Sequence, residues 1–147
     1  MREAVIVSTA RTPIGRAYRG AFNDTHGATM GGHVIAHAVS RAGVEPGEVE
    51  DVILGCALQQ GATGGNIARQ SAVRAGLAVT TAGTTVDRQC SSGLQAIAIA
   101  SQRVVMDGLP VAVGGAIAVA FAGFDITSLH RHANEANSRG RLPEGEW

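Results

Sequence analysis

A chain of 147 residues suits a single domain, which at this size buries roughly 68–70% of its unfolded surface. Its residues are 45% hydrophobic, 16% charged and only 3% aromatic, so the core must be built from Ala, Val, Ile and Leu, with close helix packing as the expected result. The formal net charge of zero gives no support for a nucleic-acid or acidic-membrane partner, and the absence of lysine among the twelve basic residues excludes Schiff-base chemistry and a P-loop lysine.

Ala4-Val5-Ile6-Val7 is a continuous apolar run rich in β-branched residues, the pattern of a strand covered on both faces. Residues 11 to 27 carry Pro13, Gly15, Gly20 and Gly27 among polar groups and predict a long surface loop, in which Arg11 reads as a solvated side chain. Asp24 or Thr25 is the expected cap of the next helix. There Met30, Val34, Ala38 and Ala42 recur at helical spacing beside Ile35 and Val39, and Gly43 supplies the stop. His33 and His37 fall one turn apart at the edge of its apolar face. Between them stand Val-Ile-Ala, without the glutamate of the zinc-protease helix, so they read as ordinary edge histidines and no metal site is expected.

Glu45-Pro46-Gly47 is a turn, and Asp51 to Cys56 is the second buried strand, with Cys56 as core packing. Gln59 to Gly65 is glycine-rich but lacks the G-x-G-x-x-G order of a dinucleotide site. Asn66 caps a short helix over Ile67 to Ala75 that Gly76 ends, and Thr84-Thr85-Val86 forms the third strand. Strands alternating with helices predict an α/β domain with a mixed, mostly parallel sheet and helices on both faces.

After Val86 the chain turns into a helix beginning at Cys90 and running to Asp107-Gly108. A cysteine there meets unpaired N–H groups and the positive end of the macrodipole, which favour thiolate over thiol and suit an oxyanion. The alternative for an isolated cysteine beside a helix is a small buried hydrophobe. Leu94, Ala96, Ile97, Ala98, Ile99, Ala100, Val104 and Val105 surround this helix on nearly every side, and one sheet cannot cover all of it. Val111 to Gly115 reads as the fourth strand. The apolar run from Val111 to Phe124 carries three glycines and falls short of the ≥18 residues of a membrane span, so it reads as buried strand and loop. From His130 to Trp147 the chain is polar, with Gly140, Pro143 and Gly145, and predicts a loose tail in which His130-Arg131-His132 is too thin for a metal site. Cys56 and Cys90, with no N-terminal signal peptide, point to reduced thiols in the cytoplasm.

The run from Val86 to Ser101, VDRQCSSGLQAIAIAS, resembles the nucleophile segment of the thiolases, the acyl-CoA acyltransferases. Arg11-Thr12-Pro13-Ile14-Gly15, Arg41-Ala42-Gly43-Val44, Val52-Ile53-Leu54-Gly55 and Gly65 to Gln70 resemble that family in its order and spacing, so agreement runs from about Glu3 to Gly115. The resemblance implies a thiolase-like N-terminal half over residues 1–115, followed by a divergent strand, loop and polar tail over 116–147. The family follows its paired glycines with Glu-Ser and a loop domain that binds much of coenzyme A, where this chain has Ala116-Ile117-Ala118-Val119, so no residue is assigned to coenzyme A.

By that resemblance Cys90 is the catalytic residue. It takes the acyl group of an acyl-CoA or 3-ketoacyl-CoA thioester in fatty-acid metabolism, with coenzyme A as part of the substrate and no permanently bound cofactor. The resemblance also implies a homodimer or homotetramer, with no nucleic-acid or membrane partner. The family's Gly-His-Pro histidine and Cys-x-Gly-Gly-Gly cysteine have no counterpart in these residues. A truncated, non-catalytic dimerising fragment is therefore the alternative. A ketosynthase relative accounts less well for the RTPIG and GNIARQ segments, and Ser91 and Ser92 lack the G-x-S-x-G elbow of a hydrolase.

Overall fold

The structure is a computed structural model and describes residues 2–16, 19–117 and the backbone of 127–132. Eight regular elements follow in chain order: β1 (Ala4–Ala10), α1 (Gly27–Ala42), β2 (Val49–Gly55), α2 (Ile67–Arg74), β3 (Ala82–Val86), α3 (Ser92–Met106), β4 (Val111–Ala116) and β5 (Thr127–His132). The five strands form one sheet in the order β1-β5-β4-β2-β3. β2 runs parallel to both β3 and β4, and β5 runs antiparallel to both β1 and β4. Four strands thus point one way and one is reversed, the expected mixed, mostly parallel sheet.

Side-chain alternation along the central strands sorts the helices to opposite faces. Val52 and Leu54 of β2 and Val111 and Val113 of β4 pack with Ile35 and Val39 of α1 and Ile67, Ala68 and Ala72 of α2. Ile53 and Ala112, the alternate residues, pack with Ala96, Ala100 and Val104 of α3. Both faces of β2 and β4 are therefore covered, which is why residues 52–54 and 111–113 read as unbroken apolar runs. Val49 shares a face with Val52 despite its odd spacing because the β2–β4 register shifts between Val49 and Asp51.

The near absence of aromatic side chains has the expected consequence for packing. A β-carbon at Gly114 would stand 2.8 Å from Ile97 Cα and 3.1 Å from Ala96 O, so α3 lies almost backbone-to-backbone on β4. Opposite Gly55 the approach is closer still, since a β-carbon there would stand 2.2 Å from Ser92 C. The helix that follows Cys90 is pressed onto the sheet by glycines.

Several sequence expectations require correction. The cap of α1 is His26, whose Nδ1 accepts the Ala28 N–H at 3.2 Å, rather than Asp24 or Thr25; Gly43 ends the helix at φ 62° as expected. α3 begins at Ser92, and Cys90 lies ahead of it in a 3-10 turn spanning Gln89–Ser91. Residues 127–132, the last three of which were expected to open a loose tail, form β5 between β1 and β4. Backbone hydrogen bonds hold a strand whatever its side chains, so a polar sequence can fill a vacant sheet position. The expected loop at 118–124 and the tail beyond 132 lie outside the described residues. No helix among the described residues is long and apolar enough to cross a membrane.

Candidate active site

β3 and α3 meet in the segment from Asp87 to Ser92, whose backbone is fixed by its own side chains. Asp87 Oδ1 accepts the Gln89 N–H at 2.8 Å, an Asx-type contact that turns the chain out of the strand. Gln89 takes φ 51°, a left-handed conformation unusual for a residue with a β-carbon. The N–H groups of Ser91 and Ser92 donate to Arg88 O and Gln89 O, closing the 3-10 turn. Ser92 Oγ accepts the Arg88 N–H at 2.8 Å and donates to Gln89 O at 2.6 Å. Arg88 is held outward by a hydrogen bond from its guanidinium to Gln95 Oε1.

Cys90 sits at the crest of this turn with its thiol exposed, whereas Cys56 is buried. The alternative of Cys90 as a small core hydrophobe is thereby removed, and it describes Cys56 instead, which packs in the α1–α2 core with its Sγ donating to Leu58 O at 3.3 Å. Unpaired N–H groups were expected around Cys90, but the amides of Ser91 and Ser92 are committed to the turn. Donors toward a ligand at Cys90 must therefore come from other groups.

His33 and His37 are exposed on α1 with ring centroids 4.4 Å apart in an edge-on arrangement, and no cluster of three or more potential metal ligands occurs among the described residues. Arg11 is exposed on its loop. The Gly65 to Gln70 segment stands beside the strand that leads to Cys90 and acts through the backbone. Asn66, at φ 59°, accepts the Arg69 N–H and the Thr85 hydroxyl and donates to Gly83 O. Arg69 donates to Thr81 O and Val79 O, each at 2.8 Å, and Gln70 Nε2 bridges Gly64 O and Gly65 O. These residues align β3, and none of them touches Cys90 in a described contact.

Sequence reasoning missed Asp87, Gln89 and Ser92 as parts of this site. An Asp two residues before a left-handed position is a legible signal. The inward turn of Ser92 is not, because it depends on the contact with β2.

Comparison with known proteins agrees with this architecture. The family model "Thiolase, N-terminal domain" matches residues 4–120. The chain is 40% identical over 115 residues to the 3-ketoacyl-CoA thiolase of Bacillus subtilis, covering 78% of this chain and 29% of that protein. It is 39% identical over 133 residues to the acetyl-CoA acetyltransferase of Paracoccus denitrificans, covering 90% and 32%. Against the acetyl-CoA acetyltransferase of Escherichia coli it is 36% identical over 148 aligned positions, covering 99% and 35%. Similarity therefore continues beyond Gly115, where the motifs alone let it fade, and the chain spans about a third of the length of these relatives. On the family match and the α/β architecture together, the chain belongs to the thiolase family, over its N-terminal domain.

Proposed function

We propose that this chain is the nucleophile-bearing part of a thiolase-type acyltransferase, with Cys90 as the residue that carries the acyl group. The observation that supports this above others is an exposed thiol on a pinned turn between a strand and a helix, in a chain whose other thiol is buried. Attack of the Cys90 sulfur on a thioester carbonyl forms an S–C bond, and collapse of the tetrahedral species breaks the bond to coenzyme A sulfur, which leaves as the thiol after taking a proton. From a 3-ketoacyl-CoA the sulfur attacks the keto carbon, the C2–C3 bond breaks, and the departing acetyl-CoA carbanion takes the proton. Both routes need an acid or base that handles that proton. Among the histidines whose side chains are described, His26 is occupied in capping α1, and His33 and His37 sit on the helix of the opposite face from α3, so none of these three is proposed as that group.

The chain is expected to take one acetyl group from acetyl-CoA without sustained turnover. Intact and peptide mass spectrometry after acid quenching reads this directly: the acetyl increment maps to Cys90 and is absent from Cys90→Ala. Alkylation of Cys90 by iodoacetamide with no acetyl adduct at any acetyl-CoA concentration overturns the reading. That result favours the second reading, a non-catalytic dimerising fragment, which draws support from the open side of α3, where Leu94 is 73% and Met106 79% exposed. Cytoplasmic location and homodimer or homotetramer assembly belong to the same proposal.

A further inference from the structure

We propose that the buried hydroxyl of Ser92 is a positioning residue for Cys90, holding the peptide groups ahead of the sulfur in the one conformation that presents it to solvent. The inference rests on the reading of Cys90 as the acyl-accepting nucleophile. A serine at the start of a helix ordinarily caps that helix by accepting an N–H from its first turn. Ser92 does something else. Its Oγ accepts from Arg88 N–H at 2.8 Å and donates to Gln89 O at 2.6 Å, so both bonds run backward to the residues that set the direction of Cys90. Ser91, the residue at the cap position, makes no side-chain cap bond.

The target of these bonds is the strained point of the turn. Gln89 holds φ 51°, which a side-chain-bearing residue adopts only when its surroundings enforce it. Asp87 grips its N–H and Ser92 grips its carbonyl, so the peptide groups on both sides of Gln89 are fixed. A hydroxyl suits the second task because a single oxygen both accepts and donates. The grip is rigid because Ser92 is 4% exposed and its backbone lies against Gly55, with no room for a β-carbon between them.

The test is the rate of Cys90 alkylation by iodoacetamide in the full chain, with folding followed by circular dichroism. Cys56, being buried, serves as the slow internal reference. Ser92→Ala is expected to lower the rate about tenfold, within the range of the two hydrogen bonds removed. Ser92→Thr, which keeps the hydroxyl, is expected to return it to within about twofold. In a Gln89→Gly background the left-handed conformation no longer needs enforcing, and the same Ser92→Ala change is expected to cost about twofold or less. Should Ser92→Ala fail to fold, Ser92→Gly removes the same hydroxyl and is measured in its place. An unchanged rate in a folded variant, or an equal loss in both backgrounds, overturns the proposal. Acetylation of the unmodified chain separates the two ideas. Acetylation with flat alkylation across the variants removes the role of Ser92 alone, whereas coupled alkylation without acetylation removes the acyl-transfer reading alone.

Discussion

At the scale of single residues, the site is governed by what is too small to see in a motif. Gly55 ends β2 directly beneath the start of α3, and a β-carbon there would stand 2.2 Å from Ser92 C and 2.4 Å from Ser92 O. Backbone cannot yield as a flexible side chain would, so Gly55→Ala forces the helix start off the sheet. Overpacking of this kind costs about 1–3 kcal/mol, expected as a lower urea midpoint with an unchanged slope. The same variant is expected to change the alkylation rate of Cys90, because the turn moves with Ser92. An unfolding midpoint equal to that of the parent would refute the packing argument. Asn66 offers a second test. Its side chain caps α2 and receives the Thr85 hydroxyl, while its backbone holds φ 59°. Asn66→Ala loses the cap, about 1 kcal/mol, and adds the left-handed penalty of about 1–2 kcal/mol. Asn66→Gly avoids the second cost and is expected to be the more stable of the two by urea unfolding.

Among the elements, α3 carries the sharpest contrast between its two sides. Ala96, Ala100 and Val104 are fully buried against the sheet, while Leu94 and Met106 lie open on the other side. Val104→Ala is expected to destabilise the chain by about 1–3 kcal/mol through lost burial and the cavity left behind, whereas Leu94→Ala is expected to change its stability by less than about 0.5 kcal/mol. Equal losses in urea would mean that both sides are covered in this chain. The apolar character of this helix was legible from its sequence, and so was the inability of one sheet to cover it. Its start was not, because Cys90 and Ser92 are both compatible with a helix N-terminus, and neither the left-handed Gln89 nor the i→i+3 bonds of the Ser91 and Ser92 amides shows in the local pattern. The cap of α1 was missed for a related reason: Asp24 and Thr25 have stronger intrinsic capping preference, yet His26 stands where the first free amide falls. β2 and β4, buried on both faces, were legible as continuous apolar runs. β3, at the sheet edge with an Ala-Gly start, showed only its β-branched end, and its position depends on Arg69 and Asn66 from a neighbouring helix.

For the whole molecule, the decisive feature is a strand that its own sequence does not announce. β5 reads Thr-Ser-Leu-His-Arg-His, without apolar alternation, yet it lies between β1 and β4 and, among the described residues, is the only strand paired with β1. Local pattern cannot reveal a strand defined by partners more than a hundred residues away in the case of β1. Without β5, β1 loses its strand pairing and keeps the packing of Ala10 on Val34 and Ala38 of α1 and attachments such as Arg41 Nη1 to Thr9 O at 3.1 Å. β2, β3 and β4 form a contiguous parallel unit that holds both helical faces and the Cys90 turn. The sheet should therefore come apart in an order. Leu129 pairs with Ser8 on one side and Val113 on the other, and proline there removes a ladder donor from an interior strand. In Leu129→Pro, hydrogen exchange is expected to show the amides of β1 losing protection toward the level of a frayed terminus, while those of β2 and the inner turns of α3 stay protected. Alkylation of Cys90 is expected to stay within about twofold of the parent, a shift of under about 0.5 kcal/mol. If β1 and β2 lose protection together, the five strands are one cooperative unit and the parallel unit does not support the Cys90 turn by itself.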